Sequence, residues 1–328
     1  MKTKLASAWL ASLIVIIVLP GSCLAPVALA MNEAALLPSA PGRFVASLPI
    51  NNPARAPAKV VALNGRESLG LKVVATHAYV QDQVSGSVLF AKNEHEQLPL
   101  ASITKLMTAC VLRVRGLDWN ARVTVTNVND GGGTSYFLPG DVVTVRDLWQ
   151  AMLIGSSNTA ATTLVAQSGL SLESFVAQMN TQAAALGMTR THFFDPVGLS
   201  PNNVSTAYDV AILVKAVFVD SEIAATTVLP SFKMTTAKGV VRTILSTDKL
   251  LNSFVNKPPY RIIGGKTGYI TESGYNLALS IEHVGAAPVV VVVMGSSSDA
   301  SRFQDAKGLA YWAFTNYRWD GSLAAVTE

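Results

Sequence analysis

The sequence predicts an α+β fold, an antiparallel sheet flanked by helices with a helical subdomain inserted between its strands. Three observations predict it. Strand-like segments occur early, over about residues 74–91, and again after about residue 235. The stretch between them, roughly 100–230, carries apolar residues at the three- and four-residue spacings of helices. No repeat with a period of 20–50 residues is present, so neither solenoid nor propeller is indicated. Strands at both ends can share one sheet only if the helical segment is an insert.

The first strand signal is Val74-Ala75-Thr76-His77-Ala78-Tyr79-Val80. A turn at Ser85-Gly86 and the run Ser87-Val88-Leu89-Phe90-Ala91 complete a hairpin. From Ser102 to about Gly116, Ile103, Met107, Cys110 and Val111 recur with helical spacing. Thr144 and Asp147, three apart, read as an N-terminal cap for the helix that begins there. Further helices are predicted over 158–167 and 172–186, the second ended by Gly187. Strands are predicted over 260–267, 276–282 and 288–294. The five-valine run Val289 to Val293 is too short to cross a membrane and reads as a buried central strand. A last helix over about 300–317 places Phe303, Ala306, Ala310 and Ala313 on one face.

The N-terminus has the layout of a secretory signal peptide: Lys2 and Lys4, an apolar stretch from about Leu5 to Leu19, a break at Pro20-Gly21, and Ala28-Leu29-Ala30. Cleavage after Ala30 is expected, and with it export from the cytoplasm. Membrane contact is expected only through that segment, were it retained. Residues 31–70, punctuated by Pro38, Pro41, Pro49, Pro53 and Pro57, read as an extended linker. The functional domain is expected over 71–318 and a tail over 319–328.

Composition removes several classes of function. The chain has a net charge of +4, and removing Lys2 and Lys4 leaves +2 for residues 31–328. Such a balance argues against nucleic acid as a partner. With Cys23 inside the leader, Cys110 stands alone, so no disulfide framework or cysteine zinc site can form; it reads as a buried apolar residue. The histidines, His77, His95, His192 and His283, are scattered and lack metal-ligand spacing, so no metal and no cofactor is expected. Gly131-Gly132-Gly133 reads as a flexible loop rather than a phosphate cradle.

Three short motifs carry the chemistry. In Ser102-Ile103-Thr104-Lys105, helical spacing brings hydroxyl and amine to one face. A serine hydroxyl becomes a useful nucleophile only when a base takes its proton, and a desolvated lysine is such a base. Ser156-Ser157-Asn158 falls at a break between helices, where Ser156 could relay a proton and Asn158 could hold a lysine or a substrate carbonyl. In Lys266-Thr267-Gly268, on a strand, an ammonium beside a hydroxyl suits a carboxylate, and Gly268 allows a substrate backbone to approach. An extended peptide could add along that strand. Each motif alone is common. Their order and structural settings together are the mark of penicillin-binding proteins and serine β-lactamases.

The chain resembles the low-molecular-mass penicillin-binding proteins, serine D-Ala-D-Ala carboxypeptidases and endopeptidases, over about residues 70–315. The resemblance rests on 99–109 around Ser102, on Thr191-His192-Phe193-Phe194-Asp195-Pro196-Val197-Gly198-Leu199 followed by Ser205-Thr206-Ala207, and on Gly265-Lys266-Thr267-Gly268-Tyr269. It implies a β-lactamase/transpeptidase-like fold, peptidoglycan stem peptides as substrates, β-lactams as covalent inhibitors and, with the signal peptide, a place in the periplasm of a bacterial envelope. It also implies roles: Ser102 as nucleophile, Lys105 as proton acceptor, Ser156 and Asn158 as relay, and Lys266 with Thr267 as holder of the substrate carboxylate. The backbone N–H groups of Ser102 and Tyr269 would form the oxyanion hole. Ser157 stands where relatives have Gly or Asp, and the resemblance implies an outward-facing position of little consequence. Some 60 residues follow Lys266, without room for the C-terminal β-domain and anchoring helix of larger relatives, and this short form resembles the endopeptidase branch.

Two other functions compete. A β-lactamase of this motif set would carry a Glu-x-x-Leu-Asn stretch between Asn158 and Lys266, and none is present; Glu173 and Glu222 lie in other contexts. A non-catalytic peptidoglycan-binding sensor would keep the fold and lose the reactive side chains, yet all of them are here.

Overall fold

The computed structural model describes residues 60–62 and 71–319. In chain order the elements are β1 (Val60–Ala62), β2 (His77–Asp82), β3 (Val88–Lys92), β4 (Leu98–Pro99), α1 (Thr104–Arg115), β5 (Arg122–Thr124) and β6 (Val142–Thr144). There follow α2 (Val145–Leu153), α3 (Asn158–Gln167), α4 (Leu172–Ala185), β7 (Val204–Ser205), α5 (Ala207–Val217), α6 (Ser221–Thr227), β8 (Ser231–Thr235) and β9 (Val241–Leu245). The chain ends with β10 (Tyr260–Ile270), β11 (Gly274–His283), β12 (Val289–Ser296), α7 (Asp299–Asn316) and β13 (Tyr317–Trp319).

The main sheet has five antiparallel strands in the order β10-β11-β12-β2-β3. Strands from the two ends of the domain therefore meet at β12 and β2, where Val291 pairs with Val80. The valine run is apolar throughout because both faces of β12 are covered. Val289, Val291 and Val293 join Phe303, Ala306, Leu309, Ala310 and Ala313 of α7 in one core. Val290, Val292 and Met294 join the helical subdomain in the other, beside Tyr79, Leu106, Cys110 and Val214. The α+β architecture expected from the sequence is the one observed.

Helix starts follow local chemistry. Thr144 and Asp147 form a reciprocal capping box on α2, and Ser171, Thr206 and Asp220 cap α4, α5 and α6. Gly187, with φ of +80°, follows the end of α4.

Several expectations need correction. The β5–β6 and β8–β9 hairpins went unread, because strands of three to five residues leave little period-2 signal. Val60–Ala62, inside the segment read as a linker, pairs antiparallel with Trp319, Arg318 and Tyr317. Trp319, assigned to the tail, is buried and its indole N–H donates to Asp82 Oδ2 at 2.7 Å. The signal peptide and the rest of the linker and tail lie outside the described residues. Among the described residues no helix is long and apolar enough to cross a membrane.

Candidate active site

The nucleophile segment is held in an unusual shape. Residues Ala101–Ile103 form a short 3-10 turn that runs into α1. Ala101 is fully buried with φ of +50°, a region that residues other than Gly seldom occupy. Ser156 adopts φ of +60°. Among the described residues only Asn93 is a third non-glycine of this kind, so two of the three flank one cleft.

Ser102 and Lys105 meet as their spacing predicts, with Lys105 Nζ 3.0 Å from Ser102 Oγ. Lys105 is wholly buried, and its amine also donates to Asn158 Oδ1 at 2.6 Å and to the Val197 carbonyl at 2.7 Å. A neutral amine has two N–H groups and one lone pair. With both donors spent on carbonyl oxygens, the lone pair is left for the serine hydroxyl. Burial lowers the lysine's pKa to about 7, against the opposing pull of Asp195 and Asp130.

Two polar networks hold this arrangement. Asp195 accepts from the backbone N–H groups of Val197, Gly198 and Ser200, and Thr108 Oγ1 donates to the Pro196 carbonyl. Asn203 Nδ2 bridges Thr104 Oγ1 and the Asp195 carbonyl. Together they aim the Val197 carbonyl at Lys105. On the other side, Asp130 accepts from Ser157 Oγ, Thr159 N–H and Thr159 Oγ1. Ser157 is buried and caps α3 by accepting from Ala160 N–H. The outward orientation expected for Ser157 is thus wrong: a helix start buried against a loop needs its orphan N–H satisfied from within. The glycine run 131–133 is an exposed turn, and Asp130 at its start is tied to α3.

The third motif lies on β10, which extends past Thr267 to Ile270, so Gly268 and Tyr269 are strand residues. Lys266 is buried, and its Nζ donates to Ser156 Oγ at 2.8 Å and to the Thr267 carbonyl at 3.1 Å. Its pKa lies well below the ordinary lysine value, first through burial and then through the positive charges of Lys105 and Arg302. Thr267 Oγ1 pairs with Thr247 Oγ1 at 2.6 Å. The reason expected for Gly268 also needs revision. A Cβ there would meet the Leu100 carbonyl at 2.8 Å and Ser102 N at 3.1 Å, so the glycine lets the strand pack against the nucleophile turn.

The cleft has a volume of ≈ 560 Å³ and is lined by Ser102, Ser156, Asn158, Thr267, Gly268 and Tyr269, among others. Lys105 and Lys266 sit in its wall behind these groups. His192 does not line it; its backbone pairs with Val204. Two contributors went unread. Arg302 of α7 lines the cleft and donates to the Gly268 and Asn276 carbonyls. Asn276 of β11 is fully buried and ties the Pro99 and Leu100 carbonyls to the sheet. Neither belongs to a short motif, and only the fold brings them to Ser102. Cys110 is buried, and burial pushes its thiol pKa upward, in keeping with an unreactive core residue.

Fold and site together define a class, the penicillin-binding enzymes with a β-lactamase-like architecture. Within it, the chain belongs to the D-alanyl-D-alanine carboxypeptidase family, peptidase family S11, which it matches over residues 64–298. It is 33% identical to a D-alanyl-D-alanine endopeptidase of Haemophilus influenzae over 68% of this chain and 76% of that one. To the carboxypeptidase DacD of Escherichia coli it is 32% identical, over 73% of this chain and 62% of the other. Its structure resembles penicillin-binding protein D2 of Listeria monocytogenes, solved in a cefotaxime-bound form, with a TM-score of 0.65 and 31% identity over 75% of this chain and 100% of that one. The chain is a serine-type hydrolase of this D-alanyl-D-alanine peptidase family.

Proposed function

We propose that this enzyme cleaves D-Ala-containing stem peptides of peptidoglycan through an ester on Ser102, in the periplasm, and that β-lactams inhibit it by forming the same ester. The observation that carries this reading is the Lys105 amine, buried, with both N–H groups engaged and 3.0 Å from Ser102 Oγ. Ser102 Oγ attacks the carbonyl carbon of a D-Ala residue while its proton passes to Lys105 Nζ. Negative charge on the carbonyl oxygen is met by the backbone N–H groups of Ser102 and Tyr269. The tetrahedral adduct collapses by losing the amine, which receives the proton held by Lys105 by way of Ser156, leaving Lys105 neutral again. Water then attacks the ester, Lys105 accepts its proton and returns it to Ser102 Oγ as the acyl group leaves.

On the leaving side, Thr267 presents its hydroxyl and Arg302 its guanidinium to the substrate carboxylate. Lys266, spent on Ser156 and Thr267, adds positive field from behind. Gly268 and Tyr269 present strand backbone for an extended peptide. Without a Glu-x-x-Leu-Asn stretch the penicilloyl ester should leave slowly, so rapid steady-state hydrolysis of nitrocefin would contradict the assignment. Residues 1–30 serve as a signal peptide, and the peptidase domain begins at about residue 71, with the Val60–Ala62 strand paired to its C-terminal end.

The test uses residues 31–328 with a monomeric pentapeptide muropeptide and a cross-linked dimer, products being read by mass spectrometry with and without penicillin. Dimer opened to monomers would mark an endopeptidase, the expected branch. Loss of one alanine from the monomer with the dimer intact would mark a carboxypeptidase. If neither substrate is cut, the enzymatic reading fails.

A further inference from the structure

A threonine outside the three motifs stands at the carboxylate end of the cleft. Thr247, in the segment that leaves β9, lines the cleft, and its Oγ1 lies 2.6 Å from Oγ1 of Thr267. Its backbone is fastened to the helical wall: Thr247 N–H donates to the carbonyl of Ile154, two residues before Ser156, at 3.1 Å. The residues on either side are held as well. Ser246 N–H donates to the Pro230 carbonyl at 2.9 Å, and Asp248 Oδ1 accepts from Leu250 N–H. Successive side chains of β10 diverge, so that Lys266 reaches Ser156 while Thr267 reaches Thr247. Among the described residues neither threonine hydroxyl has another hydrogen-bond partner.

A hydroxyl carries one proton and can accept two hydrogen bonds. Two hydroxyls that share one hydrogen bond therefore leave one proton unspent. Its place depends on direction. If Thr247 donates to Thr267, the Thr267 proton is free for the cleft. If Thr267 donates, the cleft meets only Thr267 lone pairs, which repel a carboxylate. An arriving carboxylate selects the first order, and the two bonds then run in series, each polarising the next. The pair also fixes a rotamer. Threonine can exchange hydroxyl and methyl by turning about χ1. Thr267 is only 4% exposed, so its hydroxyl stays where it finds a partner, and Thr247 supplies that partner beside the cleft.

We propose that Thr247 is a positioning residue for substrate recognition: its hydroxyl holds Thr267 Oγ1 toward the cleft and leaves the Thr267 proton for the substrate carboxylate. The inference rests on the D-Ala peptidase reading above. A valine at position 247 would set a methyl group against Thr267 Oγ1. The buried hydroxyl would then turn away to find a partner, and the Thr267 methyl would take its place at the carboxylate. Because Thr247 acts through Thr267, its loss should cost nothing further once Thr267 has no hydroxyl.

The experiment measures acylation rate constants for benzylpenicillin and for its methyl ester, by competition with fluorescent penicillin, in wild type, Thr247→Val and Thr247→Ser. The acid carries the carboxylate charge that the ester lacks. Wild type should react faster with the acid. In Thr247→Val that preference should fall by about tenfold, the scale of one hydrogen bond to a charged group, and Thr247→Ser should restore most of it. In a Thr267→Val background, adding Thr247→Val should leave the preference where Thr267→Val alone puts it. A merely structural link between the two walls would slow acid and ester alike, or would add to the Thr267→Val effect; either result overturns the inference. Should Thr247→Val fail to fold, as judged by circular dichroism, Thr247→Ala takes its place with the same expectation. A wild type without preference for the acid overturns the inference with no variant needed. Wild type that takes no label from fluorescent penicillin and cuts neither muropeptide would instead overturn the peptidase reading, and the inference with it.

Discussion

The two walls of the cleft are built by opposite means. The helical wall, carrying Ser102, Lys105 and Asn158, is assembled by side chains that reach across long sequence separations. Asp130 fastens the start of α3, Asp195 and Asn203 fasten the loop that supplies the Val197 carbonyl, and Thr108 locks onto Pro196. The strand wall, carrying Lys266 to Tyr269, is assembled by backbone register with β11 and by the absence of a side chain at Gly268. In the first wall a wrong side chain removes a partner. In the second an added side chain removes space. The reactive groups sit on the wall rich in polar partners because a lysine kept unprotonated and aimed needs acceptors at fixed points, whereas an extended peptide needs only an open edge.

Substitutions can break this contrast, beginning with the largest effect. Ser102→Ala and Lys105→Ala should each lower acylation by on the order of 10⁴-fold while the fold survives, as seen by fluorescent-penicillin labelling alongside circular dichroism. Full labelling of the serine variant would refute the assignment. Gly268→Ala should force β10 and the nucleophile turn apart, costing about 1–3 kcal/mol in urea unfolding and roughly a hundredfold in kcat/KM. An unchanged activity there would mean that the strand wall yields more easily than its packing indicates.

The lysine base gives a pH test. The neutral amine is the active form, so kcat/KM should fall about tenfold per unit as pH drops below about 7, the value to which burial lowers Lys105. A flat profile from pH 8 to pH 5.5 would exclude that amine as the base. Ser157→Ala removes both a helix cap and a partner of Asp130, and should lower stability by about 1 kcal/mol, read as a shift in the urea midpoint. At the small end, Arg261→Ala on β10 breaks a surface pair with Glu282 of β11, away from the nucleophile, and should change stability by less than about 0.5 kcal/mol and activity not at all.

Legibility in the sequence followed the same division. The strand wall was readable because Lys266-Thr267-Gly268 and the long apolar runs of β10 to β12 report continuous local environments. Ser102 with Lys105, the capping pair at Thr144 and Asp147, and the ends of α3 and α4 were readable because each spans three or four neighbouring residues. Ser157 was misjudged, since its burial depends on Asp130, 27 residues away. Arg302 and Asn276 were passed over because their relation to the cleft crosses 26 to 177 residues of chain and has no local signature.

The sequence by itself determined the fold class, the helical insert between strands, and the three motifs that name the nucleophile, its base and the strand that faces the substrate. Period, capping chemistry and short spacings are local, and local geometry is common to all chains that carry them. Tertiary structure alone decided which carbonyls occupy the lysine's N–H groups, why Gly268 must lack a side chain, and which buried charges stand behind the carboxylate site. Those depend on distances between segments remote in sequence, and desolvation and electrostatic coupling exist only once packing has excluded water from between them.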